Sequence, residues 1–465
     1  MAIEKLYEGN MRKKYLMYAI PLILSSLLTQ SYQLINSMMI GKFIGSHAFA
    51  ATSSTGPLIE LIDSLFWGYL TGVSIYAAIL FGKGDCKKLL NVIKMNFLIS
   101  ALLAIALGVG CNVFHKQLFN LLNVSDELSR DAYAYFGTYM YGLVILQFGW
   151  GFAYIAHGLG LTTMPLLVSA LSGILNITGN YIFLSVLDFG ISGCALSSII
   201  SSMVSCIIYL IKYISIFHSM GIKIRGFRWD AGELKKSIEY GAPTMLQQMA
   251  MYSCSTIVSP LTNTCGAAAI SGLNIANKAR SLIASVYQAS NKANTNFIAQ
   301  AMGAGKIDKI RKGIKIGITQ TLSMFVPLMI LFMIFARPFA NLFLDSAKDA
   351  QSISYSVIII RYLLPFVIFN VFNNLFHGIF RATGSGKLML ISTVIYSVAM
   401  IIYSYTFYFT VPHSFRIYGI YIGFALAWFT EAAFATIVFI SGKWKTAEFK
   451  KLEDAEKVKK PSSHT

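Results

Sequence analysis

The stretch GLNIANKARSLIASVYQASNKANTNFIAQAMG, beginning at Gly272, carries Asn274, Asn277, Lys278, Arg280, Gln288 and Lys292. Amides offer neutral oxygen and N–H groups, and Lys and Arg add positive charge, so this set suits binding of a polar or anionic ligand. Glu60 and Asp63 are the acidic counterpart. They stand about one helical turn apart on a shared face, where they can pair with a cation such as Lys278 or Arg280, or take up a proton. Gln33, Asn36, Asn180, Gln247 and Gln248 are further amides inside otherwise apolar segments; they can face a ligand or bond neighbouring helices. Nucleotide chemistry is excluded: ATGSGKL at Ala382 and MGAGKI at Met302 lack the leading Gly and the Ser or Thr after the Lys. No catalytic motif of the H-E-x-x-H or G-x-S-x-G kind occurs, so an enzyme is not expected, and no cofactor or resident metal is implied. The six cysteines have no metal-ligand spacing.

The elements that must hold these residues are membrane helices. The chain is 55% hydrophobic and only 12% charged, with mean hydropathy +0.61, whereas soluble domains carry roughly a quarter charged residues. A helix needs about 20 apolar residues to cross the hydrocarbon core, and about twelve such segments can be placed. The net charge of +18 does not indicate nucleic acid. Basic residues gather in alternate loops, as at Arg12 to Lys14, Lys83 to Lys94, Arg228 to Lys236 and Lys306 to Lys315, which is the bias of a protein with both termini in the cytoplasm. The surroundings expected are therefore the lipid bilayer of the plasma membrane, with no nucleic-acid partner.

An internal repeat divides the chain. YAIPLIL at Tyr18 matches YGAPTML at Tyr240, and FGKGDCKK at Phe81 matches MGAGKIDK at Met302. The organisation predicted is an all-α polytopic membrane protein: a six-helix bundle over 1–213, a cytoplasmic linker over 214–238, a second six-helix bundle over 239–441 and a basic tail over 442–465. An even number of spans per half relates the bundles by a pseudo-two-fold along the membrane normal. At 100° per residue, Asn274, Asn277, Lys278, Ser281, Ser285, Gln288, Lys292, Thr295 and Asn296 share one stripe. The corresponding span of the first half places Ser53, Glu60, Ser64, Trp67, Thr71 and Ser74 on a matching stripe, with Asp63 beside it. Polar groups inside a membrane are expensive unless they face water or one another, so two such walls suit a water-filled cavity. An amphipathic helix lying in the interface is the alternative.

Several segments together resemble the multidrug and toxic compound extrusion (MATE) family: IGKFIGSHAFAA at Ile40, FGKGD at Phe81, NITGNYIF at Asn176, GAPTMLQQ at Gly241, NIANKARSL at Asn274, AQAMGAGKIDKIRKG at Ala299 and FRATGSGK at Phe380. The resemblance implies a V-shaped pair of six-helix bundles that exports small molecules by alternating access, driven by H⁺ or Na⁺; a monomer is expected. It fails at the family's acidic positions. Bacterial members often have Asp where this chain has Asn36 and Asn180, some have an acid near Met251, and the family's A-N-R-x-D reads here Ala276, Asn277, Lys278, Ala279, Arg280. The exchange of acids for amides and bases points to an anionic or zwitterionic substrate. A flippase for lipid-linked oligosaccharide, or an exporter of a dedicated natural product or peptide, is the alternative within the same superfamily. Glu431 in the last span reads as a packing hydrogen bond and His377 as structural.

Overall fold

The computed structural model describes residues 6–459, apart from 44–45, 123, 125, 223–225 and 345–348. Among the described residues every regular element is helical. The first series is α1 (Met11–Phe43), α2 (Ser46–Lys83), α3 (Cys86–Val113), short α4 (His115–Leu121), α5 (Asp126–Tyr141), α6 (Leu143–Gly158), α7 (Thr163–Tyr181) and α8 (Ser192–Ser219). The second is α9 (Ala231–Asn263), α10 (Ala267–Gly303), α11 (Ile307–Ile334), short α12 (Ala336–Asn341), α13 (Ala350–Ile358), α14 (Val367–Ala382), α15 (Gly386–Thr410) and α16 (Arg416–Ile440), followed by α17 (Ala447–Lys459). Both series run three long helices, a short one, a span broken in two and two more. The sequence repeat thus returns as element order.

The two broken spans have local causes. Between α5 and α6 the axis turns by 55° at Gly142, where a side-chain carbon would lie 2.2 Å from Ile199 Cγ1 of α8. Only a residue without Cβ lets the bend seat against α8. Between α13 and α14 lie a π turn, Ile359–Leu363, and a 3-10 turn, Leu364–Phe366; Pro365 has no N–H to continue the ladder.

Among the described residues eight helical spans, or nine with the α5–α6 pair counted as one, are long and apolar enough to cross a bilayer. The twelve expected from the sequence add α1, α9 and α10. These are 33, 33 and 37 residues long, ample for a bilayer, but they carry the amides and cations of the candidate site. Their polarity is what separates them from the other nine.

The chain folds as two compact units, Met1–Glu8 with Ile20–Met245, and Gly9–Ala19 with Leu246–Thr465. The boundary predicted in 214–238 therefore shifts into α9. The reason is packing of the first turns of α9 within the first unit: Tyr76 donates to Glu233 at 2.5 Å and stacks on Tyr240 at 5.5 Å, and Asn96 donates to Ser237 at 3.1 Å. Reciprocally, the first turns of α1 belong to the second unit, where the Tyr15 hydroxyl donates to Ser290 O at 2.7 Å and Asn296 donates to Tyr18 at 2.9 Å. Each exchange falls beside a proline, Pro21 in α1 and Pro243 in α9. Aromatic and aliphatic cores fill each unit, one around Phe97, Phe152 and Tyr213, another around Tyr287, Phe325 and Trp428.

Candidate functional site

In the first unit Asn36 and Asn180 meet. Asn180 Nδ2 donates to Asn36 Oδ1 at 2.8 Å, and Asn36 Nδ2 donates to Asn176 Oδ1 at 2.6 Å. Asn176 in turn donates to Ser198 at 3.0 Å. The buried Oδ1 of Asn180 has no hydrogen bond. The arrangement is a neutral amide ladder joining α1, α7 and α8, able to hold a polar group but not to exchange a proton near neutral pH. Gln33, on the same helix, is exposed.

Asp63 and Glu60 differ sharply. Asp63 is 4% exposed, and both of its oxygens are engaged: Tyr139 of α5 donates to Oδ2 at 2.7 Å and Gln147 of α6 to Oδ1 at 2.8 Å. Its donors are thus neutral residues of its own unit. Glu60, one turn earlier, is exposed.

In the second unit the residues of the α10 stripe lie at different depths, with Ser285 buried. Asn274 and Gln288 are exposed, and Asn277, Lys278, Arg280, Ser281 and Lys292 are half-buried, while Ile275, Ala279, Ile283, Ala289 and Ala293 are buried. Lys278 lies 4.3 Å from the centre of the Phe343 ring, and Arg280 Nε donates to Asn277 at 3.3 Å. Beyond Lys292 the stripe ends. Thr295 and Asn296 are buried, contrary to the sequence expectation, because the polar run from Ser290 to Gln300 is a packing surface. Thr321 of α11 bonds Ser290 at 2.7 Å, and a side-chain carbon at Gly378 of α14 would lie 2.3 Å from Asn291 Oδ1.

Gln247 and Gln248 part company. Gln248 is half-buried. Gln247 is buried and links His377, read from the sequence as structural, to Arg381: its Nε2 lies 2.8 Å from His377 Nδ1, and its Oε1 accepts from Arg381 at 2.6 Å. His377 Nε2 lies 3.4 Å from Glu431 Oε1, and Asn373 donates to Glu431 Oε2 at 2.7 Å. A buried polar chain therefore runs from Arg381 through Gln247 and His377 to Glu431, across α9, α14 and α16. The sequence signal was an acid and a histidine in apolar spans, each read as packing.

A duplicated helical membrane protein, with its polar residues concentrated on equivalent long helices, has the form of a transporter. The MatE family model matches residues 21–182 and again 243–406, and the chain belongs to this family of multidrug exporters, whose members are transporters and not enzymes. The probable multidrug resistance protein YpnP of Bacillus subtilis is 24% identical over 65% of this chain and 68% of its own length. The FAD transporter of Shewanella oneidensis is 23% identical over 67% of this chain and 70% of its own. Among solved structures, a MOP superfamily transporter from Pyrococcus furiosus, described by the reverse polarity of its binding pocket, aligns with TM-score 0.84 at 21% identity, covering 96% of this chain and 98% of that one. That likeness is one of fold.

Proposed function

We propose that this protein exports small organic molecules by secondary active antiport against H⁺ or Na⁺, and that its ligands are anionic or zwitterionic. The observation that carries the reading is the charge of the polar helices. Asn36 and Asn180 bond each other as neutral amides, while α10 and α14 contribute Lys278, Arg280, Lys292 and Arg381. Two charges about 4 Å apart interact by ~1 kcal/mol in water but ~4 kcal/mol at an effective dielectric near 20, so a few cations dominate a partly dehydrated surface. In the first unit Glu60 and Asp63 are the groups we assign to coupling. The FAD transporter among the relatives supports an anionic ligand.

The protein works as a monomer in the plasma membrane, with both termini and 214–238 in the cytoplasm. A cysteine placed at Arg228 should escape an impermeant thiol reagent in intact cells; labelling there would reverse the orientation. Ligand charge is tested by titrating purified protein with FAD and with ethidium. Lys292→Gln should weaken FAD binding by about tenfold or more, as expected when a hydrogen bond to a charged group worth ~1.5 kcal/mol is lost. Ethidium as the tighter ligand, with FAD binding unchanged by the substitution, would replace this reading with a conventional cation exporter.

A further inference from the structure

The chain that ends at Glu431 has an internal logic of donors and acceptors. Arg381 is donor-only, so the Gln247 atom facing it at 2.6 Å is the carbonyl oxygen. Gln247 must then turn its Nε2 toward His377 Nδ1. An amide N–H facing that nitrogen requires Nδ1 to accept, which places the imidazole proton on Nε2, the atom 3.4 Å from Glu431 Oε1. Protonating Nδ1 as well would set two donors against each other, and rotating Gln247 to relieve them would set its Nε2 against Arg381. The charge on Arg381 thus fixes both the tautomer and the neutrality of His377.

We infer that Glu431 is the proton-exchanging site of the second unit, with His377 held by Arg381 and Gln247 as its fixed Nε2–H donor. A hydronium gives its proton to a Glu431 oxygen and leaves as water; His377 keeps its own proton throughout. The surroundings serve both forms. Ionised Glu431 receives Asn373 Nδ2 at 2.7 Å and has the His377 N–H nearby, an atom otherwise without a hydrogen bond. For the neutral form, Asn373 Oδ1 has no hydrogen bond, and turning that amide over, at the loss of the 3.1 Å bond from its Nδ2 to the Trp428 carbonyl, presents it as an acceptor for the carboxyl proton. Glu431 is 5% exposed and His377 4%, so water must be admitted for exchange, which ties protonation to helix movement.

The other titratable and charged groups around the pair come from each packed helix. From α14 comes Arg381; from α10 come Lys292, which feels the charge of Arg381, and Arg280, which acts on Tyr287, Tyr396 and Tyr421. Tyr396 of α15 interacts with the charge of Glu431 and with Cys254 of α9, and Tyr421 shares α16 with Glu431. Ionised Glu431 offsets part of the positive charge of Arg381 and Lys292, and its neutral form exposes that charge to a ligand.

This inference rests on the antiport reading for its role in transport, but the site can be tested apart from transport. Infrared difference spectra of the purified full-length protein across a pH titration should contain a buried carboxylic-acid stretch. The spectra are taken in an Asp63→Asn background, which removes the other buried acid assigned to coupling; there the band should be absent in Glu431→Gln, shifted in Glu431→Asp and retained in a Glu453→Gln control. Nitrogen NMR of labelled His377 should report the neutral Nε2–H tautomer over the same titration, and Arg381→Gln should release it to the other tautomer or to imidazolium. If Glu431→Gln fails to fold, the Glu431→Asp shift and the Arg381→Gln tautomer change carry the test. A band that persists in Glu431→Gln, that does not move in Glu431→Asp, or an imidazolium signal from wild-type His377, would overturn the assignment. In proteoliposomes, failure of a pH gradient to drive FAD or ethidium would defeat H⁺ antiport while the spectra still decide whether Glu431 exchanges a proton.

Discussion

The two units are built from the same order of helices, yet each buries its acid differently. Asp63 sits on the second long helix of its series and is satisfied by two neutral donors, Tyr139 and Gln147. Glu431 sits on the last span, with one firm donor, Asn373, and one distant donor, His377, whose orientation is set from Arg381. Duplication therefore preserved the scaffold but not the polar wiring. A buried polar network is strong where every member is satisfied and vulnerable where one substitution forces several groups to turn, and the second unit has the longer chain of dependence.

Packing around glycine gives the largest expected effects. In the first unit a side-chain carbon at Gly72 would lie 2.2 Å from the Tyr240 carbonyl oxygen and 2.5 Å from Gly241 Cα. Those are backbone atoms that cannot turn aside. Gly378 meets side-chain atoms of Asn291 and Thr295 at 2.3 and 2.4 Å, which can rotate. Gly72→Ala should cost about 1–3 kcal/mol or more, the range for overpacking, read as a lower unfolding midpoint in detergent, and Gly378→Ala should cost less. The opposite ranking would mean that the first turns of α9 are not packed as tightly within the first unit as described.

Neutralising the two acids gives a smaller and more diagnostic difference. In Asp63→Asn the new amide would face the Gln147 donor, but Gln147 can turn over because its Oε1 is otherwise without a hydrogen bond. In Glu431→Gln the new N–H₂ faces either Asn373, which can turn over only by giving up its bond to the Trp428 carbonyl, or the His377 N–H. Relief toward His377 requires the other tautomer, and hence a rotation of Gln247 against Arg381. An unsatisfied buried group costs about 1–3 kcal/mol, so Glu431→Gln should lose that much in denaturant unfolding while Asp63→Asn loses under ~1 kcal/mol. Equal losses would show that the Arg381 chain imposes no constraint on Glu431.

Much of this architecture was legible in sequence, for physical reasons. The repeat at Tyr18 and Tyr240 announced the duplicated helix order, and the helical period of α10 grouped Asn274, Lys278, Gln288 and Lys292, none of which is fully buried. The same period misread Thr295 and Asn296, because polarity in a membrane helix marks polar packing as readily as water. Asn36 and Asn180 were singled out as replacements for acids, but their mutual hydrogen bond depends on how α1 and α7 meet. Glu431, His377 and Arg381 were least legible: their meaning lies in the neighbourhood of α9, α14 and α16, which no local pattern encodes.

The claim that matters most is the charge of what is exported. It is tested most directly by following radiolabelled FAD and ethidium in proteoliposomes of the wild-type protein, under an imposed pH or Na⁺ gradient. The account predicts gradient-driven movement of FAD that exceeds that of ethidium and falls in Lys292→Gln. Gradient-driven movement of ethidium with none of FAD, unchanged by Lys292→Gln, would contradict it.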